Sequence, residues 1–143
     1  MILPDVNLLL YSHNRSAEQH QATNVWFTAA LTGPEPVALS WTTILGFLRV
    51  GTNARAYPNP MTVKEAIAAV NAWLAHPAMV LLHPGERHWE ILSEMIIRGD
   101  VDGPSITDAH LAALAVEHGA TLCTTDRDFA RFPRLRWRNP LQA

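Results

Sequence analysis

Residues 1–7 read Met1-Ile2-Leu3-Pro4-Asp5-Val6-Asn7, a short apolar run that ends at an aspartate. The same arrangement recurs at Ala120-Thr121-Leu122-Cys123-Thr124-Thr125, which Asp126 follows directly. Short apolar runs bounded by polar residues are typical of buried strands. Both stretches therefore predict a strand of a buried sheet that ends at a carboxylate.

Helical and strand-like patterns alternate along the whole chain. Alternation of this kind predicts a three-layer α/β/α fold, in which helices flank a mostly parallel sheet. The predicted strands cover residues 2–3, 37–39, 79–82 and 121–124, and the predicted helices cover residues 17–31, 41–50, 63–75, 86–98 and 108–118. The segment 51–60, which contains Pro58, Asn59 and Pro60, is predicted to be a loop.

Several helix ends are predicted from capping residues. Ser16 to Gln19 and Thr62 to Glu65 both match the capping box, in which the first and fourth side chains bond to each other's backbone amides. Ser40 and Thr107 are placed to cap the helices that follow them, and Gly99 and Gly119 are placed to end helices.

Apolar residues at helical spacing predict the faces that turn toward the core. In the helix 63–75 these residues are Ala66, Ile67, Val70, Trp73 and Leu74, and in the helix 86–98 they are Trp89, Leu92, Ile96 and Ile97. Trp41, Trp89 and Trp137 are expected in the core or at an interface.

Length and composition restrict the class of protein. A chain of 143 residues, 48% of them hydrophobic, is the size of one domain with its own core. The single cysteine, Cys123, lies in an apolar run and is expected to be buried, as suits a reducing compartment. No apolar stretch reaches the roughly 18 residues of a membrane span, so a soluble, cytoplasmic protein is expected.

Three aspartates, Asp5, Asp108 and Asp126, occupy strand ends or helix starts. Groups at the carboxyl ends of parallel strands converge on one crevice, and clustered carboxylates stay ionised when a cation offsets their repulsion. The set therefore predicts a site for a hard divalent cation such as Mg²⁺ or Mn²⁺. Taken singly, Asp5 also fits a helix cap, and Asp108 also fits the favourable first turn of a helix.

Arginines are concentrated near the end of the sequence. Five of the ten arginines fall between Arg127 and Arg138, while the net charge of the chain is only −2. This segment can be a solvated surface or an edge that contacts phosphate beside Asp126, because the guanidinium fork matches phosphate oxygens.

Four segments resemble the PIN-domain ribonucleases, and most closely the VapC toxins of type II toxin–antitoxin modules. The segments are Leu3-Pro4-Asp5-Val6-Asn7-Leu8-Leu9-Leu10-Tyr11, Ser40-Trp41 with Phe47-Leu48-Arg49-Val50, Thr107-Asp108-Ala109-His110-Leu111-Ala112-Ala113-Leu114-Ala115, and Thr125-Asp126-Arg127-Asp128-Phe129. The resemblance extends over essentially all of residues 1–143. It implies a single PIN domain with metal-dependent endoribonuclease activity, a cognate VapB-type antitoxin that covers the acidic pocket, and a homodimer.

The resemblance and the pattern of acids together assign candidate roles. Asp5, Asp108 and Asp126 are the expected catalytic residues and ligands of Mg²⁺ or Mn²⁺. Asp128, Asn7 and Thr125 are expected to support them, and Arg49 and Arg127 are expected to contact the RNA substrate or a partner. His110 is expected to be structural, because it lies two residues from Asp108 and so points away from it around the helix.

One residue departs from the family pattern. The family commonly has a glutamate on the helix after the second strand, but here the helix reads Ile44-Leu45-Gly46-Phe47-Leu48-Arg49. The missing acid is expected to correspond to Phe47, and less well to Gly46. Its loss should weaken metal binding or disfavour a second ion, which leaves open a degenerate PIN domain that binds RNA or an antitoxin without cleaving.

Other acidic-pocket and nucleotide-binding families fit less well. Asp-x-Asn after a first strand also occurs in haloacid-dehalogenase-like phosphatases and response-regulator receivers, but both use a lysine beside the pocket. The only lysine, Lys64, lies within a predicted helix, and Asn7 stands where the phosphatases need an acid that donates a proton. The phosphate-binding loop Gly-x-x-x-x-Gly-Lys-Ser/Thr does not occur in the chain.

Overall fold

A computed structural model describes residues 1–142, in which strands and helices alternate. The strands are β1 (Ile2–Pro4), β2 (Val37–Ser40), β3 (Met79–Leu82), β4 (Thr121–Cys123) and β5 (Trp137–Arg138). The α-helices are α1 (Val6–His13), α2 (His20–Thr32), α3 (Trp41–Gly51), α4 (Val63–Ala75), α5 (His88–Gly99) and α6 (Ser105–His118), and a short 3-10 helix spans Arg127–Arg131.

The five strands form one sheet in the order β3-β2-β1-β4-β5, and all the pairings between them are parallel. The predicted α/β fold with a mostly parallel sheet is confirmed, although the sequence patterns did not predict β5. Pro4 pairs with Cys123 at the ends of the adjacent central strands β1 and β4. The residues that follow these two strands therefore emerge side by side at one edge of the sheet.

Hydrophobic clusters cover both faces of the sheet, as expected of a parallel sheet. One cluster joins α5 and α6 through Ile91, Met95 and Leu114. The other joins α1, α3 and α4 through Leu9, Phe47 and Trp73, and the Phe47 and Trp73 rings are 4.7 Å apart between centroids. The two clusters anchor the elements whose ends carry the candidate site residues.

Several predicted determinants are confirmed. Thr62 and Glu65 form the capping box of α4, and Ser40 caps α3 by accepting the Thr43 amide. Gly119 ends α6 in the left-handed conformation at φ 68°, which glycine adopts without strain. Cys123 is fully buried.

The predicted capping box at Ser16 is wrong, and α2 begins later than expected, at His20. The Asn14 side chain accepts the Ser16 amide at 3.1 Å, and the Asn14 carbonyl accepts the Ala17 amide at 3.0 Å. These local bonds hold the segment in turns, because a side chain that bonds to nearby backbone competes with helix formation.

Two predicted helix faces are partly wrong. Trp89 is 72% exposed and Ile97 is 77% exposed, since α5 turns Ile91 and Met95 inward instead. In α4, Ile67 and Leu74 are 47% and 41% exposed, while Ala66, Val70 and Trp73 are buried as predicted. Trp41 is 51% exposed and so lies outside the core as well. An apolar stripe wider than the available core leaves its margins in solvent.

Two predicted capping residues do not cap their helices, although α5 ends at Gly99 as predicted. Gly99 is the last residue of α5, and Asp100 takes the left-handed conformation at φ 51°. A Cβ on Gly99 would lie 2.9 Å from a ring carbon of Phe132, so Gly99 serves close packing. Thr107 does not cap α6, because the helix already begins at Ser105.

Among residues 1–142, no helix is long and apolar enough to cross a membrane.

Candidate active site at the strand ends

Asp5 directly follows β1 and caps α1. The carboxylate accepts the Val6 amide through Oδ1 at 2.7 Å and the Thr124 hydroxyl through Oδ2 at 2.8 Å. The residue is 8% exposed. Burial raises the pKa of Asp5, the two hydrogen bonds oppose this shift, and the nearby Asp126 carboxylate adds to it. The side chain is thus buried, fixed in orientation and close to a second acid.

Thr124 connects the two strand-end acids. Its Oγ1 donates to Asp5 and accepts the Asp126 amide at 3.0 Å. Asp126 in turn accepts the Asp128 amide at 2.9 Å and caps the 3-10 helix that follows. The sequence pattern predicted this supporting role for Thr125, whereas the structure places Thr124 between the acids. The predicted strand included Thr124, whereas β4 ends at Cys123, so that Thr124 is the residue after β4 as Asp5 is the residue after β1.

Asp108 lies in the first turn of α6 and faces the same site. Burial raises the pKa of Asp108 to about 6, and the carboxylates of Asp5, Asp126 and Asp128 add to this shift. Arg131 opposes it. Because the charges of the other three acids raise the pKa of Asp108, all four acids lie in one region of negative potential, although they are far apart in sequence.

Other arginines of the C-terminal segment bond to protein oxygens. Arg131 donates to the carbonyls of Gly99 and Asp100 at 2.7 and 2.8 Å, at the C-terminal end of α5. Arg134 pairs with Glu94, and Arg136 donates to the Gly119 carbonyl, each at 2.8 Å. The sequence left open whether this segment is a solvated surface or an edge that contacts phosphate. Because these three side chains bond to protein oxygens, they belong to a surface with a structural role. Arg127 is exposed beside Asp126.

A cavity of about 470 Å³ lies between the acids and α3. Asp5 and Asp108 line one side, and Leu45, Gly46 and Arg49 line the other. Phe47 is fully buried against Trp73 on the opposite side of α3. Phe47 therefore points into the core, and Gly46 is the residue that faces the acids. Which of the two corresponds to the family acid stays a prediction.

The remaining candidates lie around this centre. Asn7 is half-buried near the start of α1, and neither Asn7 nor Thr125 makes a side-chain hydrogen bond among residues 1–142. His110 bonds to His88, with 2.9 Å between Nδ1 of His110 and Nε2 of His88, and so joins α6 to α5. A larger cavity of about 650 Å³, lined by His13, Arg15 and His20 among others, lies at the far end of α1 from Asp5.

The acids fit a hard divalent ion. Within the described part of the chain, no three histidine, cysteine, aspartate or glutamate side chains lie close enough together to hold a metal ion by themselves. Mg²⁺ does not need one, because it keeps several waters and is commonly bound through one or two carboxylates together with substrate phosphate. The donors here are carboxylate oxygens, and the pKa of Asp108 is raised first by burial and then by like charges, which a cation would offset.

Comparison with known proteins agrees with this architecture. The PIN domain family profile matches residues 2–135. The VapC ribonuclease Mb2897 of Mycobacterium bovis is 43% identical over 141 residues, which cover 99% of this chain and 96% of that protein. Ribonuclease VapC37 of Mycobacterium tuberculosis is 40% identical over 140 residues, with 98% and 97% covered.

Solved structures show the same fold at low sequence identity. VapC20 of Mycobacterium tuberculosis, described as a sarcin-ricin loop cleaving toxin, superposes with a TM-score of 0.69 at 19% identity, covering 95% of this chain and 99% of that one. VapBC-1 from nontypeable Haemophilus influenzae gives a TM-score of 0.69 at 19% identity, covering 99% and 100%. The fold and the site thus define a PIN domain. Within that class, the chain belongs to the VapC ribonuclease family.

Proposed function

We propose that the protein is a Mg²⁺- or Mn²⁺-dependent endoribonuclease and acts as the toxin of a toxin–antitoxin pair. Relatives with 43% and 40% identity are named VapC ribonucleases. The observation that carries the proposal is geometric: Asp5 and Asp108 line one cavity, and Thr124 bonds to both the Asp5 carboxylate and the Asp126 amide. Burial and the neighbouring acids raise the pKa of Asp108, which reflects the cost of this placement. Acids gathered at such cost in a cleft are typical of functional sites.

Asp5, Asp108 and Asp126 would hold the ion. A bound Mg²⁺ lowers the pKa of a coordinated water and offsets charge on the phosphate under attack. The Val6 amide and the Thr124 hydroxyl fix the direction of the Asp5 carboxylate. Thr124 also fixes the Asp126 backbone, so one hydroxyl aligns two ligands.

The proposal gives the surrounding residues lesser roles. Asp128 lies close enough to Asp108 to raise its pKa, and it could orient water or a second ion recruited by RNA. Arg127 and Arg49 are exposed near the acids and could contact phosphate. Supporting roles for Asn7 and Thr125 stay predictions.

The proposed regulator is a cognate VapB-type antitoxin. The similar structures include a toxin–antitoxin complex from Klebsiella pneumoniae as well as VapBC-1 from nontypeable Haemophilus influenzae. The surface of this chain supports such a partner, because Val25 of α2 and Val63 and Ile67 of α4 are 66%, 62% and 47% exposed. Exposed apolar groups on neighbouring helices commonly mark a binding face.

A homodimer is also part of the proposal. Trp89 and Ile97 leave an apolar face on α5, separate from the α2 and α4 residues. A second copy could cover this face. Light scattering of the purified protein, with Trp89→Lys as the variant expected to give monomers, tests it; a wild-type monomer would contradict this part alone.

A PIN domain that binds without cleaving is the second candidate. The observation that favours it is Gly46, which leaves the α3 side of the cavity without an acid. This candidate predicts RNA or antitoxin binding without any metal-dependent hydrolysis.

RNA cleavage by purified protein separates the two candidates. Structured RNA is incubated with Mg²⁺ or Mn²⁺, with and without chelator, and the cleaved ends are mapped. The proposal expects metal-dependent cuts that chelator stops and that Asp5→Asn abolishes, while Glu18→Gln, an exposed acid on another surface, cuts like wild type. Binding in chelator without cleavage in metal would favour the non-cleaving candidate.

A further inference from the structure

The side of the cavity that faces Asp5 and Asp108 carries no acid and is formed by α3. Leu45, Gly46 and Arg49 of α3 line it, and Leu111 of α6, one turn after Asp108, also lines the cavity. Its volume of about 470 Å³ lies within the range of pockets that take small organic groups, about 300–1000 Å³. A planar apolar group could enter it while remaining beside Asp5 and Asp108.

α3 also presents an exposed ridge above this cavity, formed by Trp41, Leu45 and Arg49. The three residues are four apart, so they lie on one side of the helix and extend over about 12 Å. Trp41 is 51% exposed and Leu45 is 60% exposed, and Arg49 is exposed as well. An aromatic ring, an aliphatic side chain and a guanidinium thus follow one another along a line that borders the acidic site.

These three chemical groups match single-stranded RNA. Bases stack on aromatic side chains whatever their sequence, and arginine forks bind phosphate. Duplex RNA hides its base faces, whereas unpaired loops and bulges can present them to a protein. Charge supports the same occupant, because RNA phosphates that approach the four acids need a cation nearby, and Arg49 supplies one from the α3 side.

Gly46 makes the cavity accessible from α3. It lies between Leu45 and Phe47, carries no side chain, and has the Val6 side chain directly beneath it, 3.2 Å from where a Cβ would be. An acid there would repel a phosphate, whereas glycine leaves a neutral floor for a base.

We propose that the ridge formed by Trp41, Leu45 and Arg49 binds unpaired nucleotides that flank the scissile phosphate. One base enters the cavity between Leu45 and Leu111, the next stacks on Trp41, and Arg49 contacts the intervening backbone. The inference rests on the proposed ribonuclease function and adds to it the residues of α3 that hold the RNA beside the cut.

The test measures binding of a fluorescein-labelled single-stranded RNA decamer of mixed sequence, with chelator present so that no cleavage occurs. Trp41→Ala and Arg49→Ala should each weaken binding about tenfold. A blunt RNA duplex should bind weakly to wild type and be affected less. The matched controls are Val80→Ala and Arg15→Ala, which remove an exposed apolar side chain of β3 and an exposed arginine outside α3 and should bind as wild type does.

Cleavage mapping gives a second, independent readout. In Mg²⁺, Leu45→Ala should keep cutting RNA but lose preference for the nucleotide beside the cut. Unchanged decamer binding by both Trp41→Ala and Arg49→Ala, with an unchanged nucleotide preference of Leu45→Ala, would overturn the inference. Loss of antitoxin binding alone in these variants would overturn it too, because the ridge would then belong to a peptide partner.

The outcomes separate this inference from the proposed function. Wild-type protein that cleaves RNA while the ridge variants bind and cut normally would exclude only the role of the ridge. Wild-type protein that binds the decamer through the ridge but never cleaves would exclude only the proposed nuclease activity.

Discussion

The two sides of the cavity differ in chemistry and in how far the sequence predicted them. The acidic side is built on Asp5, Asp108 and Asp126, as the sequence pattern predicted, and the pairing of β1 with β4 explains why Asp5 and Asp126 lie together. The α3 side carries no acid and is lined instead by Leu45, Gly46 and Arg49. The first side would supply the chemistry of hydrolysis, and the second would decide which RNA reaches it.

The largest expected effect is the loss of RNA cleavage when Asp5, on the acidic side of the cavity, is replaced. Asp5→Asn keeps the size of the side chain and can still accept the Val6 amide, but it removes a charge needed to hold the ion. We expect RNA cleavage to fall at least about a hundredfold, a loss typical when an essential electrostatic group is removed. Initial rates of RNA cleavage in Mg²⁺ measure it, with circular dichroism to check folding. Wild-type rates in a folded Asp5→Asn variant would exclude Asp5 as a ligand.

Two neighbouring substitutions on α3 sharpen the comparison. Phe47→Glu buries an unpaired charge beside Trp73 and should lower the free energy of unfolding by at least about 4 kcal/mol, whereas Gly46→Glu should fold. Because Gly46 faces Asp5 and Asp108, Gly46→Glu should raise Mn²⁺ affinity about tenfold. Urea unfolding and calorimetric titration measure the two effects.

Matched variants separate the effect of the added charge from the effect of side-chain size in Phe47→Glu and Gly46→Glu. Phe47→Leu tests the volume of the side chain alone and should cost about 1 kcal/mol, and Gly46→Gln should leave Mn²⁺ affinity near the wild-type value. A stable Phe47→Glu variant, together with a Gly46→Glu variant whose Mn²⁺ affinity equals that of wild type, would favour Phe47 as the position of the missing acid.

A smaller effect is expected at Thr124, the hydroxyl between Asp5 and Asp126. Thr124→Val keeps the shape but leaves the Asp126 amide and Asp5 Oδ2 without their partner. We expect a loss of about 1–2 kcal/mol in unfolding free energy and about a tenfold lower cleavage rate. Thr124→Ser should recover most of both quantities. Equal behaviour of the valine and serine variants would show that the hydroxyl does not align the acids.

The smallest effect concerns the repulsion among the acids. The pKa of Asp108 is raised in the folded protein from its ordinary value of 3.8 to about 6, so ionisation costs stability as the pH rises through that range. In chelator, Asp108→Asn should therefore be more stable than wild type above pH 6, by about 1 kcal/mol after solvent screening, and equal to it below about pH 4.

Thermal melts of both proteins from pH 3.5 to 8 measure this difference. Saturating Mg²⁺ should reduce it or reverse its sign, because the ion stabilises wild type by binding. A wild-type protein that is the more stable of the two at pH 8 in chelator would contradict the clustering of charges.

The acidic side was predictable because each acid follows a local signal. Apolar runs predicted β1 and β4, and parallel strands bring the residues after them to one edge. Thr124 was missed because its neighbour Thr125 has the same side chain, and only the register of β4 distinguishes them. The α3 side could not be predicted in the same way, since a shift of one residue between Gly46 and Phe47 rotates a side chain from the cavity into the core.

The prediction of buried helix faces from sequence has the same limit. Periodicity predicted that α4 and α5 each have a core face but could not set its width, so Trp89, Ile97, Ile67 and Leu74 were placed inward while the structure exposes them. Such margins are decided by how closely the next helix packs, which depends on the whole fold. β5 was missed because two residues form no recognisable strand pattern.

The most direct test of the metal site is an anomalous difference map from crystals grown with Mn²⁺. We predict a peak coordinated by carboxylate oxygens of Asp5, Asp108 and Asp126, and its loss in Asp5→Asn crystals. Side chains that point apart, with no peak between them at saturating Mn²⁺, would contradict the proposed metal site.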